Sequence, residues 1–482
     1  MDKRPYHDWE EKHGLINNKA IDGFQYWNYM RRDMVKSFDD EYAEVEPAFI
    51  KEIKEQKSEG IFSKIKKAGD LFSPDGFDRA EKQDVLFICH TRRVDMDGKL
   101  VSIYTDPVAD RFESSATLQW YLPAGDDKNR ICSKNILFGD RVSAGSYLRR
   151  YFVKYFKSAE YKRVREKIYE DMKEPFRELK LNYPLHPKPK LFADRAAELC
   201  FFYKYKRPIY ERLLDRISPK VIVEVVGGGF DTEIINEIAR ERGIPTIELQ
   251  HGAGALEIWY PKNVTVKQFP QWYFTFGEFW KKATHPPIPE DHIIPVGFPY
   301  HEREMEAYRG SGEKKGETVI FLSGSKYGKE FFKVASDLKK RRPDINIIYK
   351  LHPREYPFRE ERYGRKEDTG IEIVDNNAVP LYELFSRCTS QVGVDSTAVY
   401  EGMSFGLKTY IWDIPKAVLT KDLTDLKYGA LFKDGEELAR IMDSGSSAVS
   451  DYDINDFFME GSLDNIERGI RRILEGSGGM AV

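Results

Sequence analysis

The sequence predicts two doubly wound α/β halves joined by a linker. Three observations carry that prediction. Residues 220–250 spell a β-α-β unit, in which KVIVEVV, a triple glycine, an apolar-periodic helix and PTIELQ follow one another; strands joined through a helix lie parallel in one sheet, with a right-handed crossover. The alternation starts again at residue 318, after the glycine- and charge-rich stretch GSGEKKGE at 310–317. Finally, the chain has 482 residues, beyond the roughly 250–300 at which one core stops growing.

The elements follow in order. Residues 1–80, polar and aromatic by turns with a Lys/Glu-rich stretch at 51–67, read as an N-terminal extension outside the core. Residues 84–90 (DVLFICH) are apolar throughout, as a strand buried on both faces should be. A second strand, 100–105, follows a turn at Asp97-Gly98. From 140 to about 180 the period becomes helical, with Tyr147, Leu148, Tyr151, Phe152, Tyr155 and Phe156 at spacings of three and four. Arg149, Arg150, Lys154, Lys157, Lys162, Arg163 and Arg165 make this a basic helical insertion. Residues 147–165 read either as a surface for an anionic membrane or as an amphipathic helix with buried aromatics and solvated bases.

In the β-α-β unit, Gly227, Gly228 and Gly229 form the turn, Asp231 or Thr232 is the expected N-cap, and Ile234, Ile235, Ile238 and Ala239 face inward. Residues 272–276 continue the sheet. The second half offers strands at 318–322, 345–351, 371–374, 390–394 and 408–412, with helices at 329–341, 381–387 and 397–405, and a closing helix at 463–474. The expected division is therefore an extension (1–80), an N-terminal half (81–300) with its insertion at 140–180, a C-terminal half (315–462), and a closing helix and tail (463–482).

Composition excludes several classes. Seventy-six basic against 79 acidic residues leave a net charge of −3, which argues against a general nucleic-acid binder. No run approaches the 18 or so apolar residues of a spanning helix. The opening MDKRPYHDWEEKHG has no apolar segment behind its charges, so no secretory signal is expected and a cytoplasmic location is. Cys89, Cys132, Cys200 and Cys388 show no C-x-x-C spacing and are expected as buried thiols, with neither zinc nor disulfide. The triple glycine is not a dinucleotide fingerprint, since Phe230, Asp231 and Thr232 stand where the last glycine belongs, and GSGEKKGE lacks the ending of a P-loop. Asp95-Met96-Asp97 is better read as a hairpin turn than as a metal-diphosphate site.

Ligands of open α/β sheets bind beyond the carboxyl ends of the strands. That rule selects His352, which with Pro353 and Arg354 closes the strand IIYKL, and His251, placed likewise in the other half before Gly252. His90 is a third strand-end histidine, and Gly228 and Gly229 belong to the same crevice on the acceptor side. Ser396 and Thr397 open a helix after a strand, where free N–H groups and hydroxyls suit a phosphate as well as simple capping. Glu401 lies one turn further, placed to accept from a ribose hydroxyl. Ser323, Gly324 and Ser325 offer further phosphate donors.

With these residues in view, the chain resembles the GT-B glycosyltransferases of bacterial and archaeal surface polysaccharides. The likeness rests on Gln250-His251-Gly252 in the first half, and on Lys350-x-His352-Pro353-Arg354 and Ser396-Thr397-x-x-x-Glu401-Gly402-x-x-x-Gly406 in the second. It is nearest to enzymes with cytidine-activated donors: capsular sialyltransferases, Kdo transferases, and CDP-glycerol or CDP-ribitol phosphotransferases. It covers about 215–475 well and 84–140 loosely, and Asp22–Trp27 with Arg31 and Arg32 is similar to a short leader of such enzymes.

The resemblance implies two Rossmann-like domains facing each other across a cleft, and transfer from a CMP- or CDP-linked donor, more than a UDP-linked one, to a glycan or lipid-linked acceptor at the inner membrane face. It implies no metal and no cofactor, the nucleotide donor being a substrate. His352, Ser396 and Thr397 would hold the donor phosphates, Glu401 the ribose, and His251 would be the general base or a ligand of the transferred group. An acidic D/E-D/E-G base motif is absent, and Asp231 is the nearest acid. The alternatives are a nucleotide-sugar epimerase or hydrolase of the same fold, and a non-catalytic glycan- or nucleotide-binding protein.

Overall fold

The computed structural model describes residues 5–42, 77–90, 92–120, 129–156, 158–183, 185–253, 260–261, 264–314, 316–324, 327–364, 369–414, 420–445 and 452–477. The Lys/Glu-rich stretch at 51–67 and Ser325 lie outside them. The strands are β1 (Val85–Ile88), β2 (Arg93–Met96), β3 (Lys99–Ser102), β4 (Ser115–Gln119), β5 (Ile136–Phe138), β6 (Val221–Glu224), β7 (Thr246–Leu249), β8 (Trp272–Thr275), β9 (Ile293–Pro295), β10 (Thr318–Leu322), β11 (Asn346–Lys350), β12 (Glu372–Val374), β13 (Ser390–Gly393), β14 (Lys408–Trp412) and β15 (Ala430–Phe432).

One sheet runs β5-β4-β1-β6-β7-β8-β9 and the other β12-β11-β10-β13-β14-β15, and neighbouring strands in both are parallel. Numbered within its own sheet, each has the doubly wound order 3-2-1-4-5-6, the first with one strand more, so the order reverses between β1 and β6 and between β10 and β13. Both halves are Rossmann-like. Every residue of β1, β6, β7 and β10 is buried, because helices cover both faces of such a sheet and leave no solvated side. The carboxyl ends of the two sheets face each other across a cleft, the GT-B arrangement.

Several expectations change. The strand expected at 100–105 is part of an antiparallel hairpin of β2 and β3 outside the large sheets; Asp97 and Gly98 turn it with φ of 53° and 80°. The sheet continues instead through β4, whose serine, threonine and glutamine obscure the apolar signature, and β5, an apolar run of only three residues. The N-cap of helix Phe230–Glu241 is Gly229, not Asp231 or Thr232; Thr232 lies three residues on and its Oγ1 accepts from the Gly229 N–H at 3.0 Å. The insertion is two helices, Asp140–Phe156 and Ser158–Asn182, followed by a third, Pro189–Ile217, that periodicity did not announce. Of the cysteines, three are buried and Cys132 is exposed.

The largest revision concerns the N-terminal segment, since residues 5–42 are not peripheral. Trp9, Trp27 and Phe24 are buried in one core with Phe176, Phe192 and Tyr203 of the long helices. Glu10 and Arg31 form a fully buried pair at 2.7 Å, with Trp27 Nε1 donating to the same carboxylate at 3.0 Å and the guanidinium 4.1 Å above the ring of Tyr260. Helix Ser462–Ser477 returns to the first sheet, where Gly469 lies close against Phe274.

Removing one partner of a buried pair strands the other charge. Arg31→Met should therefore lower the unfolding free energy by about 3–5 kcal/mol, and adding Glu10→Leu should recover most of it; urea denaturation of the single and double variants measures both.

Candidate active site

The site is built where both sheets reverse their strand order. On the N-terminal side, the chain leaves β1 through Cys89 and His90 and leaves β7 through Gln250 and His251. The two imidazoles stack with centroids 5.9 Å apart and planes inclined by 22°. His90 Nδ1 accepts from the Arg92 N–H at 3.0 Å, so in the neutral ring the proton sits on Nε2. His251 is fastened at its carbonyl, which accepts from the Tyr104 hydroxyl at 2.8 Å, while its buried Nδ1 has no hydrogen-bond partner among the described residues. Burial, aided by His90 and Arg32, pushes His251 down to about 4, so the ring is neutral over most of the pH scale and can take a proton.

The glycine turn after β6 is already occupied by the protein's own groups. Val226 has a φ of 67°, a strained value for a β-branched residue, and its N–H and that of Gly227 face the Glu248 carboxyl. Glu224 and Glu248 are register partners on β6 and β7. A Cβ on Gly227 would meet both carboxyls, Glu224 Oε1 at 2.4 Å and Glu248 Oε2 at 2.9 Å. Burial and the neighbouring Glu248 push Glu224 well above the usual range, and burial lifts Glu248 to about 7. Arg32 arrives from the N-terminal segment and donates to the Gly228 carbonyl at 2.5 Å.

On the C-terminal side His352 caps the 3-10 helix Pro353–Phe358. Its Nδ1 accepts from the Arg354 N–H at 3.1 Å and its own N–H donates to Glu355 Oε2 at 2.9 Å. The cap fixes the tautomer, leaving Nε2–H as a donor. Burial, then the charge of Arg354, holds His352 below its ordinary value, so it works as a neutral donor. Ser396 caps helix Thr397–Met403 by accepting from the Ala398 N–H at 3.2 Å, and its hydroxyl proton stays available.

Sequence reasoning placed Thr397 at the phosphate, whereas its Oγ1 accepts from the Ala253 N–H of the opposite half at 2.8 Å. A Cβ on Gly252 would approach that oxygen to 2.8 Å. Ser323 is buried with its hydroxyl donating to the Tyr349 oxygen at 3.2 Å, since the single Tyr349 proton goes to the Gly328 carbonyl at 2.8 Å, and Gly324 packs under Tyr327. Asp231 stands apart from the histidines. Lys206 Nζ lies 2.7 and 2.9 Å from its two oxygens and the Tyr210 hydroxyl donates to it, which commits the carboxylate to a pair within the N-terminal half.

Arg92, which sequence reasoning missed, joins the halves. Its charge is felt by Tyr104 on its own side and by Glu401, Tyr382 and His352 on the other. Burial raises Glu401 to about 6, with Arg92 opposing the rise. The signal was present in Cys89-His90-Thr91-Arg92, a strand end by the same rule that selected His90. Arg32 and Glu248 had no local signal, one lying in a segment read as an extension and the other inside a strand. Among the described residues no three His, Cys, Asp or Glu side chains meet in a way that could hold a metal ion.

No family model and no curated protein matches the sequence. Among solved structures the chain is similar to the UDP-GlcNAc 2-epimerase of Methanocaldococcus jannaschii, at 11% identity and a TM-score of 0.46, covering 81% of this chain and 99% of that one. It is likewise similar to the wall teichoic acid polymerase TagF, at 9% identity and 0.44, over 95% and 100% of the two chains. A third is the glycotransferase of kitacinnamycin, at 10% identity and 0.41, over 82% and 95%. The fold assignment rests on this chain's own strand order.

Two groups in the site pull stability in opposite directions. His251 is held below its ordinary 6.5, so its contribution is present above 6.5 and lost as pH falls toward about 4. Glu248 is raised above 4.5, so its contribution is present below 4.5 and lost as pH rises through about 7. Thermal melts across pH should show Glu248→Gln flattening the neutral decline and His251→Asn flattening the acid one.

Proposed function

We propose that the protein is a metal-independent GT-B glycosyltransferase that moves a sugar or polyol phosphate from a nucleotide-activated donor to a hydroxyl of a growing surface polysaccharide or glycolipid. The observation that carries this reading is the opposition, across one cleft, of a histidine locked as a donor and a histidine with an unpartnered ring nitrogen. Leaving-group departure builds negative charge on the nucleotide phosphate. His352 Nε2–H, the guanidinium of Arg92 and the Ser396 hydroxyl are the groups available to stabilise it, without reorganisation at the moment of reaction. Glu401 accepts from the ribose. The acceptor hydroxyl approaches from the N-terminal half, bounded by His90, Gly228 and Gly229, and gives its proton to neutral His251.

A CMP- or CDP-linked donor is the favoured class, on the likeness of the Lys350–Arg354 and Ser396–Gly406 motifs. Thermal shift against CMP, CDP, UDP and GDP tests it, because a ligand bound only by the folded state at 100 times its Kd adds about 2.7 kcal/mol. Stabilisation by UDP or GDP alone would overturn the cytidine preference. His352→Ala should lower transfer by on the order of 10² to 10³ with an unchanged melting curve, and an active variant would sink the assignment. Donor consumed equally without acceptor, or a rearranged sugar nucleotide as product, would mark a hydrolase or an epimerase; binding without turnover would mark a non-catalytic protein.

The insertion supports placement of the reaction at an anionic membrane surface. Phe152 and Phe156 are 47% and 78% exposed, stacked 5.2 Å apart on helix Asp140–Phe156, rather than buried as the amphipathic alternative required. Part of the basic charge is spent within the fold, for Arg163 pairs with Asp22 and Arg165 with Asp194. Flotation with anionic vesicles should show binding that Phe152→Ser/Phe156→Ser and Arg150→Glu/Lys154→Glu each weaken, and neutral vesicles should not bind.

A further inference from the structure

We propose that Arg32 and His251 together form a subsite for a carboxylate or phosphate carried by the group in transfer or by the acceptor end that receives it. This rests on the transferase reading above and specifies the ligand of its N-terminal side.

The argument begins with the helix Tyr26–Tyr42. Successive residues on a helix point about 100° apart, so when Arg31 is buried against Glu10 and Tyr260, Arg32 is turned out toward the glycine turn. It lies close over the turn: a Cβ on Gly228 would come 3.0 Å from Arg32 Nη1 and make the guanidinium shift. One hydrogen bond goes to the Gly228 carbonyl at 2.5 Å. Among the described residues no carboxylate forms an ion pair with Arg32, in contrast to Lys206, whose charge Asp231 meets.

Two buried acids, Glu233 and Glu248, feel the charge of Arg32, and among the described residues neither forms an ion pair with it. Glu248 faces the Val226 and Gly227 N–H groups, and Glu233, buried one turn into its helix, is raised to about 8 by desolvation. The end of the neighbouring strand carries His251, on which the charge of Arg32 acts and whose buried Nδ1 has no hydrogen-bond partner among the described residues. With the neutral ring's proton on Nδ1, that nitrogen donates and Nε2 is left to act as the base; a guanidinium in no ion pair beside such a donor matches an anionic oxygen able to take several charge-assisted hydrogen bonds. The nucleotide phosphates are assigned above to His352 across the cleft, with Arg92 reaching it from the N-terminal half. Filling the N-terminal subsite also has a chemical consequence: an anion beside His251 offsets Arg32 and favours the protonated ring, bringing the base closer to neutrality when substrate is present.

The test uses inorganic phosphate as probe and the imidazole NMR signal of His251, identified by its loss in His251→Asn. Wild type should show a saturable shift that Arg32→Ala weakens about 10- to 100-fold and Arg32→Lys partly restores. Arg32→Gln, which can still bond the Gly228 carbonyl, should behave like alanine. In steady-state transfer the KM for the charged partner should rise about 10- to 100-fold in Arg32→Ala. Weaker donor binding, measured by titration with acceptor omitted, assigns the anion to the transferred group, and a KM rise confined to the acceptor assigns it there. Phosphate that leaves His251 unperturbed in wild type, that shifts it equally in Arg32→Ala, or a variant that lowers kcat with no change in KM, overturns the subsite. A wild type that binds phosphate at His251 but neither binds nor consumes any nucleotide donor overturns the transferase reading while leaving the anion site standing.

Discussion

The cleft is set by a close approach between the halves, one of several contacts that join them. Thr397 Oγ1, at the start of a helix in the second half, accepts from the Ala253 N–H just beyond His251 in the first, at 2.8 Å. Gly252 leaves the space for it, since any side chain there would press on that oxygen. This contact brings the carboxyl ends of two separate sheets to the distance at which residues of one are felt by residues of the other. An apolar core continuous from Trp280 and Phe298 to Tyr400, Phe457 and Ile466 backs it. With the halves so held, Arg92 can act on Glu401 and His352 although it belongs to the opposite sheet.

The two sides of the cleft divide the chemistry by what has already been satisfied. The glycine turn of the first half resembles an anion cradle in sequence, but its N–H groups face Glu248, an internal carboxyl that takes the place a phosphate would need. The second half keeps its donors open. His352 spends Nδ1 on the backbone and presents Nε2–H, and Ser396 retains its hydroxyl proton after capping its helix. Backbone hydrogen bonds thus decide that one histidine is a donor, and the lack of one leaves the other free to accept.

The second half was largely legible because most of its strands are short apolar runs closed by a polar signal, although the three-residue strand Ala430–Phe432 was not read. Thr318–Leu322 and Lys408–Trp412 coincide with the ranges read from the residues, and His352 and Ser396 stand at strand ends where the pattern put them. The first half was harder. Strand Ser115–Gln119 carries polar residues that hydrogen-bond inside the fold, as when Gln119 receives Arg93, and so does not announce burial, while Ile136–Phe138 is apolar but only three residues long. The N-terminal segment looked solvated because its charges are frequent, yet Arg31 is neutralised by Glu10, a residue 21 positions away whose pairing no local window contains.

What the residues alone determined was the α/β class, the duplication, the strand-end positions of His90, His251, His352 and Ser396, and Glu401 one turn into the helix that follows, because alternation and strand ends are local properties of a chain. Tertiary structure decided which of those groups remain available. It gave Thr397 to the contact between halves, Ser323 to Tyr349 and Asp231 to Lys206, and it brought Arg92 and Arg32 to the cleft. Those outcomes turn on hydrogen bonds and charges shared between residues distant in sequence, and such partners are chosen only when the two sheets and the N-terminal helices close around one another.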